Sequence, residues 1–302
     1  MKFEILINDT IENLVADSGI ENCSKIHLLS MINDFEDGEW RFGKFQNTIW
    51  NNVGLTALSF KEREALIGEP MSVMKAAAKN LRIIDDDAFG SGSEIAEILL
   101  YAVMEHYCNA LSVVPKIFYK QNAADNAKGA DSVHIVVEGD DFSIWFGESK
   151  FFNSIEDPRL YEIINSVIES LGTAKLKKEN SIITNVSDLN DLDISDELKE
   201  KIFKALSPSE SIDEIKPKIH IPILLLNECP ITQNQKTISP EYKAELIEYH
   251  KNRASSYFTK LLKKLRAVHL FEEITFHLII VPVFKKEPII SAFNETAKFL
   301  KR

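Results

Sequence analysis

Residues 129 to 152 read GADSVHIVVEGDDFSIWFGESKFF, and no other stretch constrains the fold as strongly. Two runs rich in Val, Ile, Phe and Trp, 133 to 137 and 142 to 152, flank the turn-like EGDD at Glu138 to Asp141, which predicts a β-hairpin. Strand side chains alternate, so Glu148 and Lys150 project in line with Phe142, Ile144, Phe146 and Phe152. Trp145, Ser149 and Phe151 project from the other face. Aromatic residues on both faces predict burial on both. Asp131, Glu148 and Lys150 are therefore costly where they stand, because a buried charge must be paired or hold a metal, and an apolar pair would often stabilise as well. Their presence points to chemistry, with a structural Glu148–Lys150 ion pair as the alternative.

A chain of 302 residues with 45% hydrophobic content can bury a sizeable core, as one large domain or two smaller ones. Its net charge of -11 argues against a stand-alone nucleic-acid binder and for a partner or local basic patches. Cys23, Cys108 and Cys229 are odd in number, far apart and in no zinc spacing, which suits reduced thiols. No apolar run approaches the roughly 18 residues of a membrane helix, and acids interrupt the N-terminal segment MKFEILINDTIENL. A soluble cytoplasmic protein is expected.

Along the chain, strand candidates at 3 to 7 and 26 to 32 and helical segments at 60 to 67 and 70 to 82 predict a small α/β N-terminal region over residues 1–85. The acidic, Gly-containing DDDAFGSGS at 85 to 93 is the expected boundary. Residues 86–302 then read as helix SEIAEILLYAVMEHYCNAL, a strand near 113 to 119, the hairpin and a helix at 158 to 171. A polar helical insertion with flexible edges is expected near 180–218, followed by strands at 219 to 226 and 274 to 283 with a long helix, 241 to 266, between them.

Several motifs fail on their chemistry. Gly38 to Lys44, GEWRFGK, has phosphate-loop spacing but is followed by Phe45 where Ser or Thr should hold magnesium. GSGS at 90 to 93 reads as a helix cap. Counted from Asp188, an EF-hand would need Gly and Glu where Asp193 and Lys199 stand. The histidines lack HExxH, and His106 and His134 read as hydrogen-bonded core residues.

An acid opening the hairpin, an ExK on its second strand and an acid on the preceding helix form a set with definite chemistry. Carboxylates suit magnesium, with manganese as an alternative, and a neighbouring lysine can orient water and offset charge on phosphorus. Glu94 lies three residues after Ser91, a capping-box spacing; Glu97 lies one turn deeper, so it is the favoured helix acid and Glu94 the supporting candidate.

In this order of elements the set resembles the PD-(D/E)XK nuclease superfamily, over about residues 93 to 227. The segments EIAEILLY, KGADSVHIVV and WFGESKFF more specifically resemble the HamA family, nuclease subunits of the Hachiman anti-phage defence system. The resemblance implies an α/β, restriction-endonuclease-like mixed sheet flanked by helices, with residues 86–302 as the nuclease domain. It implies catalytic roles for Glu97, Asp131, Glu148 and Lys150, with Glu97, Asp131 and Glu148 as metal ligands. Ala130 departs from the Pro of the literal signature. The implied partner is a superfamily 2 DNA helicase like HamB, and the implied activity is magnesium-dependent, sequence-nonspecific DNA cleavage.

Substrate contacts need cations from elsewhere. Lys251, Arg253, Lys260, Lys263, Lys264 and Arg266 fall in an acid-free segment and could form a phosphate-facing stripe, or a solvated face or contact with the acidic insertion. Two rival functions stay open: an independent structure-selective or restriction endonuclease, and a catalytically silent nuclease fold serving as a helicase scaffold.

Overall fold

The apolar runs form strands β1 (Glu4–Thr10), β2 (Ile26–Ile32), β3 (Phe35–Glu36), β4 (Glu39–Trp40), β5 (Leu111–Ser112), β6 (Ser132–Glu138), β7 (Asp141–Phe152), β8 (Ile219–Glu228) and β9 (Thr275–Val283). The structure is a computed structural model that describes residues 3–10, 25–82, 92–122, 129–186 and 188–302. Helices α1 (Phe42–Ala57), α2 (Phe60–Ala65), α3 (Pro70–Lys79), α4 (Ser93–Cys108) and α5 (Lys116–Asn122) precede the hairpin. After it come α6 (Asp157–Ser170), α7 (Thr173–Val186), α8 (Asp196–Ala205), α9 (Ile212–Ile215), α10 (Pro230–Gln233), α11 (Pro240–Leu265) and α12 (Lys286–Lys301).

Among the described residues, one mixed sheet of seven strands runs β1-β2-β9-β8-β7-β6-β5. Its centre, β2-β9-β8-β7, is parallel, because β7 reaches β8 and β8 reaches β9 through helical crossovers. The edges are antiparallel. The expected α/β mixed sheet flanked by helices is therefore present. β1 and β2 extend that same sheet, and the boundary expected around residue 85 lies mostly outside the described residues.

The β7 alternation holds. Phe142, Ile144, Phe146 and Phe152 pack with Ile163, Val167, Ile183, Ile202, Tyr257 and Leu261 of α6, α7, α8 and α11. Trp145 and Phe151 pack on the opposite face with α1, α4 and α12, through residues such as Ile49, Leu99 and Phe293. With helices on both faces, the central strands are largely apolar on both faces.

Three expectations are corrected. The strand near 113 to 119 is only the two-residue β5, and α5 starts directly after Pro115, which has no N–H for a ladder but suits a helix start. Helix α1 was not expected; its Asn, Thr and Gly content hides a segment whose Phe45, Ile49 and Val53 are buried. The segment near 180–218 is helical as expected, but its Ile182, Ile183, Leu189, Leu198, Ile202 and Leu206 are buried in the main core rather than set apart from it. The phosphate-loop look-alike is a β3–β4 hairpin running into α1, and its Lys44 is bound to Asp34 at 3.0 Å.

Candidate active site

Asp131 stands just before β6. Its N–H donates to the Gly147 carbonyl at 2.8 Å, and its Oδ2 accepts the Ser149 N–H at 3.0 Å and the Ser149 hydroxyl at 3.2 Å. Asp131 is thereby tied to β7 on both sides of Glu148, by its backbone N–H to Gly147 and by its carboxylate to Ser149. Glu148 is 4% exposed, and its Oε2 accepts the Ser166 hydroxyl of α6 at 2.6 Å. Nearby, the buried Tyr257 hydroxyl of α11 has no hydrogen-bond partner among the described residues. Burial, and then the Glu148 charge, push the Tyr257 pKa upward.

Glu148 opens into a cavity of about 90 Å³ that is also lined by Gly129, Ala130, Ser166 and Glu179. Glu179, on α7, is the carboxylate that sequence reasoning missed. Its Oε1 accepts the Ala130 N–H at 2.9 Å and its Oε2 accepts the Lys116 ammonium at 2.7 Å. A Cβ at Gly129 would lie 1.5 Å from Glu179 Oε1, so only glycine admits this approach. The available signal was an acid between Leu176 and Ile183 at core-facing helical spacing, where Asn180 is also buried.

Glu97 is 6% exposed on α4, one turn before Tyr101. The Tyr101 hydroxyl donates to the Val114 carbonyl at 2.6 Å and accepts the Lys116 N–H at 3.2 Å. Burial raises its pKa first, and the charges of Glu97 and Glu179 add to that. The charges of Glu97 and of the Lys116–Glu179 pair's carboxylate are thus both felt at Tyr101. Glu94 accepts the Arg82 N–H at 2.8 Å, joining α4 to the chain after α3. The α4 N-cap is Gly92, and Ser91 lies outside the described residues.

Lys150 is half-buried two residues beyond Glu148, about 7 Å along the strand at roughly 3.3 Å per residue. It lines a separate depression with Ser93, Phe151, Asn153, Arg159, Glu162 and Lys286. The structure therefore brings Asp131 to the Glu148 strand, adds Glu179 to the Glu148 cavity, and places Lys150 at the next opening. Among the described residues, no group of three His, Cys, Asp or Glu side chains is placed to hold a metal ion. The donor atoms present are carboxylate oxygens, which suit a hard cation; magnesium needs only one or two of them when water and substrate phosphate complete its shell.

The basic stripe divides. Arg253 pairs with Glu156 at 3.0 Å and Asp157 at 3.1 Å, and Lys260 pairs with Asp157 at 2.7 Å. Lys264 bonds Asn165. These three fasten α11 to α6, an internal contact with α6 rather than with the acidic insertion. Lys251, Lys263 and Arg266 are exposed and make no ion pair among the described residues. His106 is bonded to Asn52 at 3.1 Å, whereas both ring nitrogens of buried His134 lack a partner among the described residues, contrary to the expected bonded core role.

The family model HamA matches residues 5–297, which include both strands of the site and the helices that frame it. The chain belongs to the HamA family. Membership supports a role for this HamA chain in Hachiman anti-phage defence. No curated protein matches it significantly. Among the described residues, no helix of this HamA chain is long and apolar enough to cross a membrane.

Proposed function

We propose that the chain is a metal-dependent DNA nuclease, the effector of a two-protein Hachiman defence complex whose partner is a superfamily 2 DNA helicase. The observation that carries this reading is the bonding of the Asp131 carboxylate by the Ser149 N–H and hydroxyl, which fixes that acid to the strand that carries Glu148 and Lys150. The HamA family match supports it from the whole chain.

Asp131 and Glu148 would hold magnesium, or manganese in its place; the ion would supply Lewis-acid polarisation of the phosphodiester. Ser149 fixes the Asp131 carboxylate and Ser166 fixes that of Glu148, so both are oriented before substrate arrives. Lys150 donates to phosphate oxygens or to the attacking water and offsets charge developing on phosphorus. Glu97, buried on α4, would be the third acid of the set, and its charge is felt with that of Glu179 at Tyr101. A net charge of -11 opposes polyanionic DNA at long range, so most productive affinity is assigned to the helicase.

The test is digestion of linear, circular and single-stranded DNA, with and without magnesium, by three preparations. These are the chain alone, its complex with the helicase, and the complex with an ATPase-dead helicase. Cleavage that needs magnesium and a live helicase is expected. Equal cleavage with live and dead helicase would reject gating by the partner, and none under any condition would reject the nuclease reading.

A further inference from the structure

The depression of about 220 Å³ at the C-terminal end of β7 draws cations from three separate elements: Lys150 of β7, Arg159 of α6 and Lys286 of α12. Neither Lys150 nor Arg159 has a side-chain hydrogen bond or ion pair among the described residues, unlike Arg253 and Lys260 of α11. Among the described residues the Lys286 ammonium donates once, to the Phe151 carbonyl at 2.6 Å, and lies over the Phe151 ring. An ammonium has three donors, so two are left to point elsewhere. The acids nearby are Glu162, which lines the depression, and Glu228, which accepts the Lys286 backbone N–H at 2.6 Å.

The backbone adds to this field. Ser93 and Lys286 are the first residues of α4 and α12, both 16-residue helices, so two positive helix ends face the same depression. Gly92 makes the convergence possible. It has φ of +74°, and a Cβ there would lie 2.9 Å from both Ile290 and Phe151, so any other residue would force α4 away from α12 and β7. Burial, with Glu228 opposing and Arg159 adding to it, lowers the Lys286 pKa, an effect that a bound anion would reverse.

We propose that this depression, lined by Lys150, Arg159 and Lys286, binds a phosphate of a nucleic-acid strand next to the one held at Glu148. Several donors arriving from different directions suit a tetrahedral oxyanion, and Ser93 and Asn153 supply neutral donors at the rim. The inference rests on the nuclease reading for the source of the phosphate. Its consequence is directional: the strand would run from the Glu148 cavity past Lys150 toward the start of α12, and not along the α11 stripe.

The experiment measures binding of a fluorescent single-stranded oligonucleotide without divalent metal, from low to physiological salt. It compares the wild-type chain, Arg159→Gln, Lys286→Gln, the double variant, and Lys75→Gln on exposed α3 as control. Circular dichroism checks folding. We expect weak binding at low salt. Each site variant should weaken it about three- to ten-fold and flatten the slope of log affinity against log salt by about 0.7, the single-strand value per phosphate contact. Lys75→Gln should leave the slope unchanged. A double variant that binds like wild type, or a wild type with no salt-dependent binding, overturns the subsite. If the site variants behave as expected but the helicase complex never cleaves DNA, the phosphate site stands and the nuclease reading falls. An acidic peptide that competes as well as the oligonucleotide would overturn the nucleic-acid assignment.

Discussion

The Lys116 ammonium lies 2.7 Å from the Glu179 carboxylate, and neither side chain is more than 4% exposed. The pair joins α5 to α7, and through the Ala130 N–H it holds the residue immediately before Asp131. Removing one member would leave a buried charge. Lys116→Met should therefore cost about 3–5 kcal/mol in urea unfolding. Adding Glu179→Gln should recover most of it, because an amide oxygen can still accept the Ala130 N–H. A single variant as stable as wild type would show that the pair does not hold this region.

Lys150→Ala should lower cleavage by the helicase complex at least about 100-fold, the scale seen when one donor to developing charge is lost. Thermal stability should hardly change, because Lys150 is half-buried and makes no ion pair among the described residues. Asp131→Ala and Glu148→Ala should lose magnesium binding as well, which calorimetry would read. Unchanged magnesium affinity in either removes that residue from the metal site, and a Lys150→Ala chain that unfolds would give Lys150 a structural role.

Glu97→Gln should impair cleavage far more than Glu94→Gln. Glu94 accepts one backbone N–H at a surface position, a contact that an amide can retain, so its loss should cost no more than about 1 kcal/mol. Glu97 is buried, and its charge is felt at Tyr101. Equal activity of both variants in the digestion assay would remove Glu97 from the site.

Acid should destabilise the fold through its buried imidazoles. Burial lowers the pKa of His134 from 6.5 to about 3, and that of His250 likewise to about 3. Above about pH 6.5 both folded and unfolded chains carry these rings neutral. Between there and about pH 3 only the unfolded chain takes up the protons, so stability falls as pH falls, by up to about 1.4 kcal/mol per pH unit for each ring. His134→Phe should flatten the dependence of the urea midpoint on pH between 7.5 and 5, and a phenyl ring should fit beside Tyr101, whose ring centre is 4.5 Å away. An unchanged slope would mean that His134 titrates normally in the fold.

Local patterns determined much of the frame. The β6–β7 hairpin, its alternation, the α4 start region and the long α11 are all set by periodicity, turn residues and caps that act within a few residues. The placement of Asp131, Glu148 and Lys150 on or beside that hairpin followed from the same patterns, and so did the suspicion that stability alone does not explain them. The sheet order did not. β2 meets β9 in parallel and β9 meets β8, pairings between residues far apart in sequence that leave no local signature. Tertiary packing likewise decided that Glu179 faces the Glu148 cavity, that Lys150 shares a depression with Arg159 and Lys286, and that Arg253 and Lys260 are occupied by α6. Side chains of one sign read alike along a chain; whether a cation is paired or left to a ligand depends on which distant acid the fold brings within a few ångströms.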